Sequence, residues 1–316
     1  MKYASIDIGT NTLRLLIAEA ASDGGIRPLV YKRAITRLGG GYSVENGIDP
    51  ASASRSFSAL EDFKRIIAEN GAAEVMATAT SVVRRAVNRG WFIEEVLKRT
   101  GIGIRVISGD EEARLSLLGV LSVIEDGRGK KTVIDIGGGS TEFVFTDNDT
   151  LKGAWSMEMG VVHLTEKYLK SDPPAPGELK GLEDSVRGVI VELKGLMDKG
   201  GVDPDGYSGH DGATLVGTAG TVTTLAAMDQ NLDVYDRERI NNYTLTKEKV
   251  RSMYAYLAGL KLKERERVLS LEKGREDLII PGTAIVLQTM EAFGFDAMKV
   301  SDAGLLEGII LQRLKA

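Results

Sequence analysis

One device occurs twice in this chain, roughly a domain length apart. The first copy is an apolar strand, Tyr3-Ala4-Ser5-Ile6-Asp7-Ile8, then Gly9-Thr10-Asn11-Thr12 and a second apolar run from Leu13 to Ala20. The second copy is Thr132-Val133-Ile134-Asp135-Ile136, then Gly137-Gly138-Gly139-Ser140 and the run Thr141 to Thr146. Both read as strand, tight turn, strand, with an Asp near the end of the first strand. A unit repeated at this spacing points to two lobes built on one plan. The 316 residues are long enough for two such cores.

The pattern also carries chemistry. A strand-end carboxylate can hold a hard cation directly or through water. The N–H groups of a Gly-containing turn can cradle phosphate oxygens, because Gly lets the backbone approach closely. An ordinary hairpin turn would look the same in one copy, and the repetition favours function. Asp7 and Asp135 are therefore the candidate cation holders. Gly9, Thr10, Asn11, Thr12, Gly137, Gly138, Gly139 and Ser140 are candidate phosphate contacts. Gly217-Thr218-Ala219-Gly220-Thr221 is a third Gly-rich turn, placed between a strand and a helix, and offers Gly217, Gly220 and Thr221 to a phosphate chain or nucleotide. Close helix–strand packing explains that turn equally well.

The rest of the chain narrows the alternatives. There is no Cys and only two His, His163 and His210, far apart in sequence, so thiolate and His-rich metal sites are excluded. A net charge of −5 excludes a broadly basic surface for nucleic acid or membrane. No run of about 20 apolar residues suggests a membrane span. Asp7 interrupts the place where a signal peptide needs its apolar core, so a cytoplasmic protein is expected.

Helical periodicity runs over 51–70, from Trp91 to Lys98, from Ser108 through Leu121, near 178–198, and over 281–293 and 303–314. Strands are expected at 75–79, 104–107, 214–217 and 297–301. The charged, Gly-rich stretch Glu125 to Lys131 marks a boundary. It divides an N-terminal lobe, 1–126, from a C-terminal lobe, 127–302. The segment 246–271 reads as charged helix, and Lys261 to Arg267 as solvated helix surface. Ser108-Gly109-Asp110-Glu111 has capping-box spacing, which gives Glu111 a structural role. Glu112 lies about 100° further round that helix and points elsewhere. Arg84, Arg85 and Arg89 form a basic cluster suited to phosphate oxygens, or to solvent.

These motifs together resemble the exopolyphosphatase/guanosine pentaphosphate phosphatase (Ppx/GppA) family of the actin-like ATPase superfamily. The resemblance rests on Ile6 to Thr12, Thr80-Ser81-Val82-Val83-Arg84, Ile107 to Ala113, Asp135 to Glu142, Gly217 to Thr221, Gly274-Arg275-Glu276-Asp277 and Ser301 to Leu305. They occur in the family's order and span essentially the whole chain. Thr stands at 10 and 12, where Ser is common in the family. The resemblance implies an α/β, two-lobed actin-like (sugar-kinase-like, RNase H-like) fold of duplicated mixed sheets with an interlobe cleft, and a last helix, 303–316, that packs back onto the first lobe. It implies Glu112 as the catalytic glutamate, Glu142 as a second catalytic carboxylate, Arg84 and Arg275 as phosphate contacts, and Mg²⁺ or another divalent cation. The implied substrate is polyphosphate or a guanosine polyphosphate, without nucleic acid or membrane partners. Homodimers are common in the family, and the residues themselves leave the oligomeric state open. An ATP-dependent phosphotransferase of the superfamily and a non-catalytic nucleotide-binding protein remain as alternatives.

Overall fold

The computed structural model describes residues 1–22, 24–125, 128–271 and 273–315. Its contacts divide the chain into two compact units, Met1–Ser122 with Gly304–Ala316, and Val123–Ala303. The boundary expected at Asp126 and Gly127 lies outside the described residues.

The first unit contains β1 (Lys2–Ile8), β2 (Thr12–Ala20), β3 (Ile26–Ile35), α1 (Pro50–Asn70), β4 (Glu74–Ala79), α2 (Ser81–Arg85), α3 (Arg89–Thr100), β5 (Ile104–Val106) and α4 (Gly109–Leu121). The second contains β6 (Lys130–Ile136), β7 (Thr141–Asp147), β8 (Thr150–Met157), α5 (Val161–Tyr168), α6 (Pro176–Lys199), β9 (Thr214–Thr218), α7 (Ala219–Asp229), α8 (Arg237–Ile240), β10 (Thr244–Thr246), α9 (Lys247–Gly259), α10 (Leu262–Arg265), α11 (Ile279–Ala292) and β11 (Ala297–Val300). The final helix, α12 (Leu305–Lys315), belongs to the first unit.

The sheets repeat one another. The first runs β3-β2-β1-β4-β5, and the second runs β8-β7-β6-β9-β11 with β10 added at the far edge. In each, the first three strands in sequence form an antiparallel meander, and the first pairs in parallel with the fourth. The two sheets are thus one mixed-sheet plan used twice, as the repeated device in the sequence predicts. Strand alternation explains the burial of the first sheet. Ile6, Ile8, Leu13, Leu15 and Ile17 face the core beneath α1 and α3, while Leu16 and Ala18 face α12. In the second sheet, Ile134, Ile136, Phe143 and Phe145 join one large core with α6, α7, α9 and α11. Among the described residues, no helix is long and apolar enough to cross a membrane.

Helix ends follow their sequence signals. Asp49 caps α1 through the Ser52 N–H at 3.0 Å, and Gly71 ends it in the left-handed region. Ser108 caps α4 through the Glu111 N–H at 3.1 Å. The Glu111 carboxylate, expected to complete a capping box, pairs instead with Arg105 on β5. α4 and α12 approach backbone to backbone: a Cβ on Gly119 would stand 1.9 Å from the Gly304 carbonyl oxygen, and one on Gly308 1.8 Å from that of Leu115.

The segment 246–271 is not one helix. α9 stops at Gly259, Leu260 is extended, α10 is a single turn, and turns follow. Nor is Lys261–Arg267 wholly a solvated face. Arg265 is buried, its Nη2 lies 3.6 Å from Asp172, and burial pushes its guanidinium below the usual range. Leu262 donates its N–H to the same Asp172 at 2.7 Å, so the break is fixed by tertiary contact.

Candidate active site

The two Asp-x-Gly turns close in the same way. Gly9 donates its N–H to the Thr12 carbonyl at 3.2 Å, and Gly137 donates to that of Ser140 at 2.9 Å. A Cβ at either glycine would lie 2.9 Å from that same carbonyl oxygen, too close for any other residue without a backbone shift. Gly9 and Gly137 therefore shape their loops, with their own N–H groups used inside the turn.

The loop carbonyls are tied from behind in both units. In the first, Thr36 and Arg37 donate N–H groups to the Asn11 carbonyl at 3.1 and 2.9 Å, and Gly39 donates to that of Thr10 at 2.7 Å. In the second, the N-terminus of α5 does this work, with Val161 donating to Gly137 at 3.1 Å and Val162 to Gly138 at 2.9 Å. Among the described residues, no protein acceptor takes the N–H groups of Thr10, Asn11, Gly138, Gly139 or Ser140. Backbone N–H groups left this way can bond a ligand or water. Consecutive N–H groups on a turn form an anion cradle.

Unpartnered side-chain oxygens collect at the first loop as well. Asp7 Oδ1, Thr10 Oγ1 and Asn11 Oδ1 are all buried without a hydrogen-bond partner. Asp7 Oδ2 is engaged by Arg14, through Nε at 2.9 Å and Nη2 at 2.6 Å. These hard oxygens suit a cation such as Mg²⁺. Among the described residues, no group of three or more His, Cys, Asp or Glu could enclose a metal, so such an ion would keep most of its waters or take substrate oxygens.

Glu112 lies in the first turn of α4, with its side chain 12% exposed. Arg84 Nη1 donates to Glu112 Oε2 at 3.1 Å and to the Ile107 carbonyl at 2.9 Å. This ion pair holds the carboxylate in a fixed orientation at the helix start. Among the described residues, Arg84 Nε and Nη2 take no protein partner and can serve phosphate oxygens.

In the second unit, Glu142 is buried, and its Oε1 accepts from Ser140 Oγ at 2.8 Å and from Ser156 Oγ at 2.7 Å. Asp135 is its direct cross-strand partner. The Gly217–Thr221 turn divides its roles. A Cβ on Gly217 would meet Met298 Sδ on β11 at 2.4 Å, and Thr221 on α7 packs against Gly282 on α11, so both positions also carry close packing between elements. Gly220 instead lies under Arg275: a Cβ there would stand 1.6 Å from its Nη1. Ala219 between them is left-handed, with φ of 69°, a strained state that a non-Gly residue adopts only when its surroundings impose it.

A model of the Ppx/GppA phosphatase family matches residues 16–316. The chain belongs to that family. It is 31% identical over 331 residues to Exopolyphosphatase 2 of Mycobacterium tuberculosis, covering 98% of each chain. It also superimposes on the Aquifex aeolicus Ppx/GppA family member with a TM-score of 0.81 at 31% identity, covering 100% and 98% of the two chains. An exopolyphosphatase structure from Cytophaga hutchinsonii gives a TM-score of 0.89 at 25% identity, covering 100% and 98%. These likenesses span both units of this Ppx/GppA family member, so neither unit is an addition to the family fold.

The structure thus brings together Arg84 with Glu112, Arg275 with Gly220, and Ser140 with Glu142. Sequence reasoning missed Ser156, Gly160 and the Thr36–Gly39 segment, which hold those groups in place. Gly220→Ala supplies a test of Arg275. The clash falls on the end of a flexible side chain, so the fold should keep its melting temperature. Displacing the guanidinium should raise the KM for a phosphorylated substrate by roughly tenfold, measured by steady-state phosphate release. An unchanged KM would remove Arg275 from substrate binding.

Proposed function

We propose that this protein releases terminal orthophosphate from a phosphoanhydride chain, inorganic polyphosphate or the 5′-triphosphate of guanosine pentaphosphate. The observation that carries the reading is the pair of anion cradles, one in each unit, whose unpartnered N–H groups have the same backbone origin. Their chemistry suits the non-bridging oxygens of a phosphoryl group. The family supplies the reaction class, and the exopolyphosphatase relatives favour polyphosphate.

In this reading Glu112 accepts a proton from the attacking water as the oxygen approaches phosphorus in line with the leaving phosphate. Arg84 orients Glu112 and contacts the phosphoryl oxygens. The N–H groups of Thr10, Asn11, Gly138, Gly139 and Ser140 bind negative charge, and Arg275 binds the chain. Glu142 orients the water. Asp7 or Asp135 would hold Mg²⁺, which would supply charge neutralisation when bound. Phosphoryl transfer of this kind depends on positioning and electrostatics more than on covalent chemistry. Phosphate release measured side by side on the two substrates, with Mg²⁺ and with chelator, tests the proposal. Release from either substrate that needs the cation is expected. No release from either would overturn it.

A further inference from the structure

The strand register aligns one rung in each sheet. In the first unit Thr78, Asp7, Arg14 and Arg33 are successive cross-strand partners on β4, β1, β2 and β3. In the second, Thr218, Asp135, Glu142 and Ser156 occupy the matching places on β9, β6, β7 and β8. Both copies keep Thr and Asp. The next two places diverge, to Arg and Arg in one unit and to Glu and Ser in the other.

Partners on a rung share a face, so Ser156 stands beside Glu142. Both hydroxyl bonds to this carboxylate arrive at the same oxygen, Oε1: one from Ser140 in the phosphate loop, one from Ser156 on β8. Ser140 alone would couple the carboxylate to a loop that must accommodate substrate. Ser156 ties it to the sheet. We propose that Ser156 is the positioning residue for Glu142, fixing the orientation of its carboxylate plane from the sheet side. The inference rests on Glu142 serving the hydrolysis. It touches no substrate itself; it acts through Glu142.

Ser156→Ala removes one donor to a buried carboxylate, and charge-assisted hydrogen bonds are the strong kind. The expected result with long-chain polyphosphate and Mg²⁺ is a fall in kcat of about tenfold, with KM within about twofold. Ser156→Thr restores the hydroxyl on a β-branched side chain suited to a strand, and should recover most of kcat. Thermal unfolding of both variants shows whether either has lost its fold. In a Glu142→Gln background, Ser156→Ala should cost nothing further, because its target is already gone. An unchanged kcat in Ser156→Ala, an equal loss in Ser156→Thr, or losses that add in the double variant would each overturn the inference. Full turnover in Glu142→Gln alone would overturn the role of Glu142 itself, and this inference with it. An inactive Glu142→Gln beside a normal Ser156→Ala would sink only the inference.

Discussion

Glu112→Gln leaves the fold intact and lowers phosphate release by roughly a thousandfold, the scale of a lost general base. The amide is the same size as the carboxylate and keeps an oxygen for Arg84 Nη1, which donates to Glu112 Oε2 at 3.1 Å. The cap of α4 is untouched, since it is made by Ser108 and the Glu111 N–H. The expected loss therefore sits in kcat, with a melting temperature close to that of the parent and a KM changed little. Steady-state phosphate release and thermal unfolding on the same preparations check it. Turnover within about threefold of the parent would remove Glu112 from proton transfer, since general-base effects are far larger. Glu111→Gln is the internal control: its carboxylate pairs with Arg105 on an exposed surface, so activity should hold.

Gly160→Ala is the second large effect, and it acts through backbone. A Cβ on Gly160 would stand 2.3 Å from the Gly138 oxygen and from the Gly139 carbonyl carbon. No side-chain rotation relieves that contact, so the second phosphate loop must shift by about an ångström, a displacement that can cost a hundredfold in rate. The same variant should lower stability by about 2 kcal/mol, the usual scale of overpacking. Gly188→Ala in α6 is the contrast, because nothing lies within 4 Å of a Cβ there. It should stabilise by up to about 1 kcal/mol through helix propensity and leave turnover unchanged. Activity near normal in Gly160→Ala would show that the loop need not hold its position.

The family and the fold class were legible because their signals are local. Asp7 and Asp135 end apolar strands, Gly9 and Gly137 follow two residues later, and the two patterns match. The third strand of each sheet was not legible. β3 carries Arg27, Lys32 and Arg33 and lies at an edge, where charge protects against mispairing and erases alternation. β8 is likewise an edge strand whose apolar residues, Met157 aside, are only half-buried, so Ser156 had no strand to place it. The charged run 246–271 read as one helix because its periodicity is good. Its break comes from Asp172, some 90 residues away in sequence, which receives both the Leu262 N–H and Arg265. Gly160 carried no motif of its own. Its importance comes from what it touches, the backbone of a loop more than 20 residues earlier.

The most direct test of the central claim is phosphate release from polyphosphate in water enriched in oxygen-18. Hydrolysis of a terminal phosphoanhydride places one solvent oxygen in each released orthophosphate and shortens the chain by one unit, with no acceptor added. That result is expected with Mg²⁺, and it should disappear in Glu112→Gln. Release without solvent label, or phosphate that leaves the chain only when an acceptor molecule is supplied, would contradict the account.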